Sequence, residues 1–244
     1  METFDSALEL DRIANFLKRN LGNKPAVIGV SGGIDSALTL TILSNFLPKE
    51  KIHAFFLPDG STPGKDYRDV EELEKSTGVL IRILSIERMV KQFVEALNAT
   101  DKKLIGNIKS RVRMIVLYYQ ANLTGGLVVG TTNKSEYLTG YFTKYGDGAC
   151  DIEPIMHLYK WEVRKLSTYL GVPKSILEKS PSAGLWQSQT DEEELGMPYD
   201  KLDRILRDLE QGNPDTDREA IRVLEMYHNT EHKRRMPVSI LDES

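Results

Sequence analysis

The chain has 244 residues, 40% hydrophobic and 28% charged, with a formal net charge of −4. That length suits one generous domain with a substantial core, and the mild acidity argues against a general nucleic-acid binder, which would be strongly basic. One cysteine, Cys150, excludes a disulfide framework, and no apolar run reaches the length of a membrane span. With an acidic rather than signal-like amino terminus, the expectation is a soluble, cytoplasmic protein with neither membrane nor nucleic acid as partner.

Residues 3–21 place Leu8, Leu10, Ile13, Phe16 and Leu17 close to a helical stripe. The apolar run Ala26-Val27-Ile28-Gly29-Val30 reads as a buried strand, and Ala37 to Leu43 reads as a buried helix. A second strand, Ile52 to Leu57, ends at Pro58-Asp59-Gly60, and residues 58–66 suggest a long mobile loop. A helix near 66–76, a strand from Val79 to Leu84, and helices near 86–97 and 107–122 lead to a strand from Leu127 to Gly130. Strands alternating with helices imply an α/β, doubly wound parallel sheet. Further helices are expected near 160–170, 199–211 and 215–229. Residues 179–198, with Pro181, Gly184, Gly196 and Pro198, read as a lid or partly disordered loop. No composition break marks a domain boundary, so residues 1–244 read as one domain.

The stretch Ser31-Gly32-Gly33-Ile34-Asp35-Ser36 lies at the first strand–helix junction. One reading is an ordinary turn with Asp35 as helix cap. The other is a phosphate cradle. A glycine pair lets several N–H groups point into one space, the helix N-terminus adds partial positive charge, and Asp35 offers a carboxylate to a magnesium–triphosphate complex. Two serines, two glycines and an acid together favour the cradle. The motif lacks a Gly-Lys-Ser/Thr ending and resembles the ATP pyrophosphatase (PP-loop) superfamily, which implies adenylation of a substrate oxygen with pyrophosphate leaving.

After the fourth strand comes Gly130-Thr131-Thr132-Asn133-Lys134-Ser135-Glu136. In an open parallel sheet this turn lies beside the first cradle. Glu136 can join Asp35 around magnesium or can close a capping box. Three more stretches follow the same order as one family: Gly106-Asn107-Ile108-Lys109-Ser110-Arg111-Val112-Arg113, Phe142-Thr143-Lys144-Tyr145-Gly146-Asp147-Gly148, and Glu231-His232-Lys233-Arg234-Arg235. From about residue 25 to 240 the chain resembles the NAD synthetase family.

That resemblance implies a five-stranded, mostly parallel Rossmann-like sheet of the adenine nucleotide α-hydrolase-like type, with helices on both faces. It also implies conversion of nicotinic acid adenine dinucleotide (deamido-NAD) to NAD: ATP adenylates the nicotinate carboxylate, and ammonia displaces AMP. Carried over by motif, Gly29, Val30, Ser31, Gly32, Gly33, Ile34, Asp35 and Ser36 hold ATP, together with Thr131, Lys160 and Ser182. Asp35 and Glu136 take Mg2+, and Arg111, Lys144, Asp151, His232 and Lys233 meet deamido-NAD. Asp35, Lys160 and Lys233 are the catalytic candidates, and a homodimer is expected.

The residue types suit that chemistry. Carboxylate attack on the α-phosphorus joins two anions, so lysines, arginines and magnesium must absorb charge. Whether Lys160 or Lys233 meets the pyrophosphate or the α-phosphate stays open. Arg111 and Arg113 fit either a grip on phosphate or a solvated helix face, and Tyr141, Phe142 and Tyr145 fit either core or a stacking surface. Cys150 reads as a small buried residue rather than a nucleophile. About twenty-five residues before the first strand are too few for a glutaminase domain. A thiolating enzyme of the superfamily would need paired cysteines, and a mere nucleotide-binding module would not need both Asp35 and Glu136.

Overall fold

A computed structural model describes residues 4–182, 184–186, 189–213 and 217–240. Four strands form one sheet: β1 (Ala26–Val30), β2 (Ile52–Phe56), β3 (Ile81–Ile83) and β4 (Leu127–Val129). They lie in the order β3-β2-β1-β4, all parallel, with Ala26 facing Ile52 on one side and Leu127 on the other. The helices are α1 (Ser6–Leu21), α2 (Ile34–Phe46), α3 (Gly64–Thr77), α4 (Glu87–Ala96), α5 (Lys102–Thr124), α6 (Lys134–Thr139), α7 (Lys160–Tyr169), α8 (Lys174–Leu177), α9 (Asp191–Leu195), α10 (Tyr199–Glu210), α11 (Arg218–Asn229) and α12 (Glu231–Arg234).

Side chains alternate across each strand, so each face feeds a different core. Ala26, Ile28, Val30, Ile52, Ala54 and Phe56 pack with residues of α1, α2, α3 and α7. Val27, Phe55 and Val128 face the other way, toward Val90 of α4 and Val112 and Val116 of α5. A third cluster unites Leu195 and Met197 with Tyr199, Leu202, Ile205 and Leu206 of α10 and Ala220 and Val223 of α11. α2 is buried from Ser36 through Leu43, as its nearly unbroken apolar run requires.

Among the described residues the sheet has four strands, where the family resemblance implied five. Beyond β4, Asp151 and Ile152 donate their N–H groups to the Val128 carbonyl, and Gly130 N–H donates to Ile152. Pro154 then follows, has no N–H to continue a ladder, and the pairing stops at one bridge. Four short helices, α6, α8, α9 and α12, lie outside the sequence reading. At four to six residues each, they are too short to leave an apolar stripe.

The expected loop at 58–66 is shorter, because α3 begins at Gly64. It is also held: Asp59 Oδ1 accepts from Ser61 N–H and Oγ, and Asp59 Oδ2 lies 2.9 Å from Lys109 Nζ. The expected lid at 179–198 is partly packed, since α9 lies within it and Gln189, Leu195 and Met197 are buried. Ala183, Gln187 and Ser188 of that stretch, and residues 215 and 216 of the expected helix 215–229, lie outside the described residues.

Ile28 has no exposed surface, whereas Leu8 on the outer face of α1 is 69% exposed. Ile28→Ala is therefore expected to lower unfolding free energy by about 2–5 kcal/mol, and Leu8→Ala by less than about 0.5 kcal/mol, in urea titrations.

Candidate functional site

The connections from β1 to β2 and β2 to β3 carry α2 and α3 over one face, whereas that from β3 to β4 carries α4 and α5 over the other. Winding reverses between β1 and β4, which lie side by side. A crevice opens at the carboxyl ends of strands where winding reverses, and it is the usual place for a ligand in such sheets.

The turn after β1 is built of backbone donors. Gly32 has φ +76, a left-handed conformation that glycine alone adopts freely, and a Cβ there would sit 3.3 Å from the Asp66 carbonyl. Gly33, not Asp35, is the N-cap residue of α2, so Asp35 lies inside the first turn with its carboxylate free to point elsewhere. Ser36 Oγ donates to the Gly33 carbonyl and accepts from Ser31 N–H, both at 3.1 Å. Ser31 Oγ lies 3.1 Å from it and accepts from Gly33 N–H at 3.2 Å.

The turn after β4 reaches into the same space. Asn133 caps α6, with Glu136 closing a capping box, so that reading of the sequence holds. It does not compete with the charged role. The Asn133 side-chain amide donates to Asp35 Oδ1 at 2.9 Å, and Lys160 Nζ donates to Asp35 Oδ2 at 2.6 Å and to Glu136 Oε1 at 3.2 Å. Lys160, at the start of α7, is 1% exposed and lies 4.9 Å from the Tyr199 ring centroid. Tyr199 and Tyr141 hydroxyls both donate to Asp191, at 3.2 and 3.1 Å. Burial, reinforced by Asp35 and Asp191 against the pull of Lys160, pushes the Glu136 carboxyl up to about 8. Asp35, Glu136 and Asp191 together outweigh burial at Lys160 and hold its ammonium charged.

A second basic group sits one short helix away, since six residues of α6 span about 9 Å. Lys233 Nζ donates to the Gly140 and Phe142 carbonyls at 2.7 and 2.8 Å, and burial lowers its pKa. Lys144 Nζ donates to the His232 carbonyl at 2.5 Å, and Arg111 donates to the Lys144 carbonyl at 3.2 Å. Asp147 accepts from Ser110 Oγ and Thr143 N–H, which fixes the loop between them. Of the predicted set Arg111, Lys144, Asp151, His232 and Lys233, these bonds join Arg111, Lys144 and His232, with Lys233 next to His232 in the chain.

Asp151 stands apart from that network, on the edge of β4, where its carboxylate accepts from Val128 N–H at 2.7 Å. Thr131 is half-buried just past β4, and Ser182 is exposed, its hydroxyl accepting from Gly184 N–H. Cys150 is half-buried, and burial pushes its thiol well up, which removes it as a thiolate nucleophile. Of the aromatics, Phe142 stacks on Tyr137 with centroids 6.5 Å apart, while Tyr141 serves Asp191 and Glu194 through its hydroxyl. Arg113 is tied inward by its Nε to the Leu57 carbonyl, so it does not form a solvated face.

Sequence reasoning missed the bond from Asn133 to Asp35, and it missed Asp191, Tyr199 and Asp203 altogether. Asp191 opens the acidic run Asp191-Glu192-Glu193-Glu194, which resembles a solvated surface. Asp203 takes the Ser135 hydroxyl and Trp161 N–H, while Ser135 Oγ accepts from Lys160 N–H at 3.0 Å, so it fixes where α7 and Lys160 begin. Neither residue carries a local motif.

Comparison with known proteins gives one consistent neighbourhood. The family model for NAD synthase matches residues 9–237. The NH3-dependent NAD+ synthetase of Picrophilus torridus is 56% identical over 232 residues, covering 95% of this chain and 93% of that one. Among solved structures, NMN synthetase from Francisella tularensis superposes with a TM-score of 0.88 at 35% identity, covering 97% of this chain and 99% of that one. NH3-dependent NAD synthetase from Campylobacter jejuni superposes with a TM-score of 0.84 at 29% identity over 97% and 99% of the two chains.

Burial raises the Asp203 carboxyl from 3.8 to about 6 against the opposing pull of Ser135 and Trp161 N–H. The folded state holds that proton more tightly than the unfolded chain. Its contribution to stability is complete below about pH 4 and is lost as pH rises through 6. Asp203→Asn should therefore gain on wild type in thermal midpoint between pH 4 and 7. A difference that stays flat with pH would remove Asp203 from the titration.

Proposed function

This chain belongs to the NAD synthase family, and from that membership and the site's geometry we propose that it is an ATP-dependent, ammonia-using ligase that makes NAD from deamido-NAD. A nicotinate carboxylate oxygen attacks the α-phosphorus of ATP, the α–β bond breaks, and pyrophosphate leaves. Ammonia then attacks the acyl carbon of the adenylate, AMP departs, and the surplus proton passes to solvent. The observation that carries this reading is the Asn133–Asp35–Lys160–Glu136 network, which joins the turns after β1 and β4 at the reversal of winding.

The residues divide the work. The first N–H groups of α2 and the Ser31 hydroxyl offer donors to phosphates, while the bonds of Ser31 N–H, Gly33 N–H and Ser36 Oγ within the turn hold its shape. Lys160, buried between two carboxylates, is placed to balance charge that grows on the α-phosphate. Arg111, Lys144, His232 and Lys233 lie where a second ligand beside the nucleotide would be held, and they form the proposed deamido-NAD side of the site.

Among the described residues no three His, Cys, Asp or Glu side chains cluster as a ready metal cage. Asp35 and Glu136 nonetheless converge on one cation, the Lys160 ammonium. Two hard oxygen donors at one point suit Mg2+, which binds through one or two carboxylates and completes its shell with water and phosphate oxygens. When bound there, the ion would neutralise phosphate charge. Thr131, just past β4, and Ser182 are proposed ATP contacts, and Asp151 is the proposed dinucleotide contact beside β4.

We further infer a homodimer. Leu104, Ile115, Tyr119 and Leu123 are each more than half exposed along α5, and Phe93 and Leu97 extend the apolar surface at the end of α4. An apolar face of this extent favours a second copy of the chain. Sedimentation is expected to give twice the chain mass, and Ile115→Asp with Tyr119→Asp should give the monomer.

The deciding assay supplies ATP, magnesium and deamido-NAD with ammonium or glutamine in parallel. NAD, AMP and pyrophosphate in equal amounts from ammonium are expected. Nicotinic acid mononucleotide runs as an alternative acceptor, because one structural relative is an NMN synthetase. Preferred amidation of the mononucleotide would move this chain to that relative's substrate. Asp35→Ala and Glu136→Ala should each lower kcat by about 10²-fold or more while leaving the thermal transition cooperative. Retained turnover in either would take that residue out of the reaction.

A further inference from the structure

Lys179 is untouched by the reaction scheme above, yet its ammonium is committed three times over at the back of the cradle. Nζ donates to the Gly32 carbonyl at 3.0 Å, to Asp66 Oδ1 at 2.6 Å and to Asp69 Oδ2 at 2.9 Å. Those three bonds exhaust an ammonium's donors. Asp66 and Asp69 lie three apart on one face of α3, and the Asp69 side chain is only 3% exposed. A buried carboxylate of this kind is costly without its cation.

The bond to Gly32 acts on the nucleotide side. In a trans peptide the C=O and the following N–H point in opposite directions. With the Gly32 carbonyl held by Lys179, the Gly33 N–H is turned toward Ser31 Oγ, inside the cradle. Lys179 also stands three residues before Ser182, so the segment bearing that proposed ATP contact is tied to the cradle at its root.

We propose that Lys179 is a positioning residue for ATP: it holds the Gly32–Gly33 peptide in the orientation that lets Gly33 N–H meet Ser31 Oγ and so shapes the cradle, and it offsets part of the charge of two carboxylates beside it. The inference rests on reading the cradle as an ATP site. It assigns Lys179 no contact with the reacting atoms.

The test compares wild type, Lys179→Met, Asp69→Asn and the double variant. Each is read by KM for both substrates and by calorimetric Kd for α,β-methylene ATP with magnesium, which needs no turnover. Lys179→Met should weaken the analogue and raise KM for ATP by roughly tenfold or more, as expected for lost charge-assisted hydrogen bonds. KM for deamido-NAD should move less than about twofold, a split that general loosening of the fold would not give. Adding Asp69→Asn should restore part of the ATP affinity, because one buried charge no longer lacks a partner.

Unchanged ATP affinity in Lys179→Met, equal rises in both KM values, or a double variant weaker than the single would each overturn the proposal. If Lys179→Met fails to fold, the double variant is read against Asp69→Asn alone. Weaker analogue binding is then expected from the lost Gly32 bond, and equal Kd values overturn it. Wild type that binds no analogue overturns the ATP reading and this inference with it. Wild type and Lys179→Met that bind equally overturn this inference alone.

Discussion

Lys160 carries its charge to a position where only 1% of the residue is exposed, and such burial costs several kcal/mol unless the ammonium is paired and hydrogen-bonded on all sides. The partners that make it tolerable come from different parts of the chain. Asp35 arrives on α2, Glu136 on α6, Asp191 on α9 and the Tyr199 ring on α10. Each must reach one point for any of them to be buried at acceptable cost. The network therefore couples the nucleotide cradle to the third hydrophobic cluster, which holds Leu195, Met197 and α10. Losing the ammonium would leave several carboxylates facing one another in a poorly solvated space, which is far costlier than losing the pair's net attraction.

The sheet supplies the place where this convergence can occur. Parallel pairing of β1 with β4 sets Ala26 opposite Leu127 and Ile28 opposite Val129, so the two strands end at nearly the same level. Their following turns then project side by side, and Asn133 can reach Asp35 across 98 positions of sequence. The cap of α6 and the placement of the Asp35 carboxylate are parts of one arrangement. Asn133 uses its carbonyl oxygen to cap Glu136 N–H and its amide to hold Asp35, so helix initiation and acid placement share one side chain.

Much of this was legible in the residues. The strands at 26–30 and 52–57 carry their own alternation or apolar continuity, and the Gly32–Gly33 turn announces a tight backbone. The turn after β1 and the capping box closed by Glu136 were recoverable because each is encoded within a few consecutive positions. Asp191 and Asp203 were not, because their burial depends on α9 and α10 folding back over α7, a long-range event with no local signature. The strands read from the residues numbered four, as found; the fifth came only from the family resemblance, and beyond β4 Ile152 makes one isolated bridge before Pro154. Lys160 was recoverable as a residue by family likeness. Its near-complete burial was not, since a lysine beside Trp161 at a helix start reads locally as surface.

The charges around the cradle have a common pattern. Lys160 is balanced by Asp35 and Glu136 at the mouth, and Lys179 by Asp66 and Asp69 behind it. Neither ammonium is left as a free positive charge: Lys179 faces two carboxylates, and at Lys160 the Asp35 carboxylate matches the charge before Glu136 ionises. What remains for phosphates is neutral: the first N–H groups of α2, the Ser31 hydroxyl and the dipole of α2. A triphosphate entering without a counter-ion would meet donors of the right geometry in surroundings of the wrong sign. One entering with a divalent cation would satisfy both, the donors through its oxygens and the acids through its metal. On the proposed reading, discrimination by charge and recognition by shape would thus fall to different atoms of the same turn, the first to Asp35 and the second to the peptides at the start of α2.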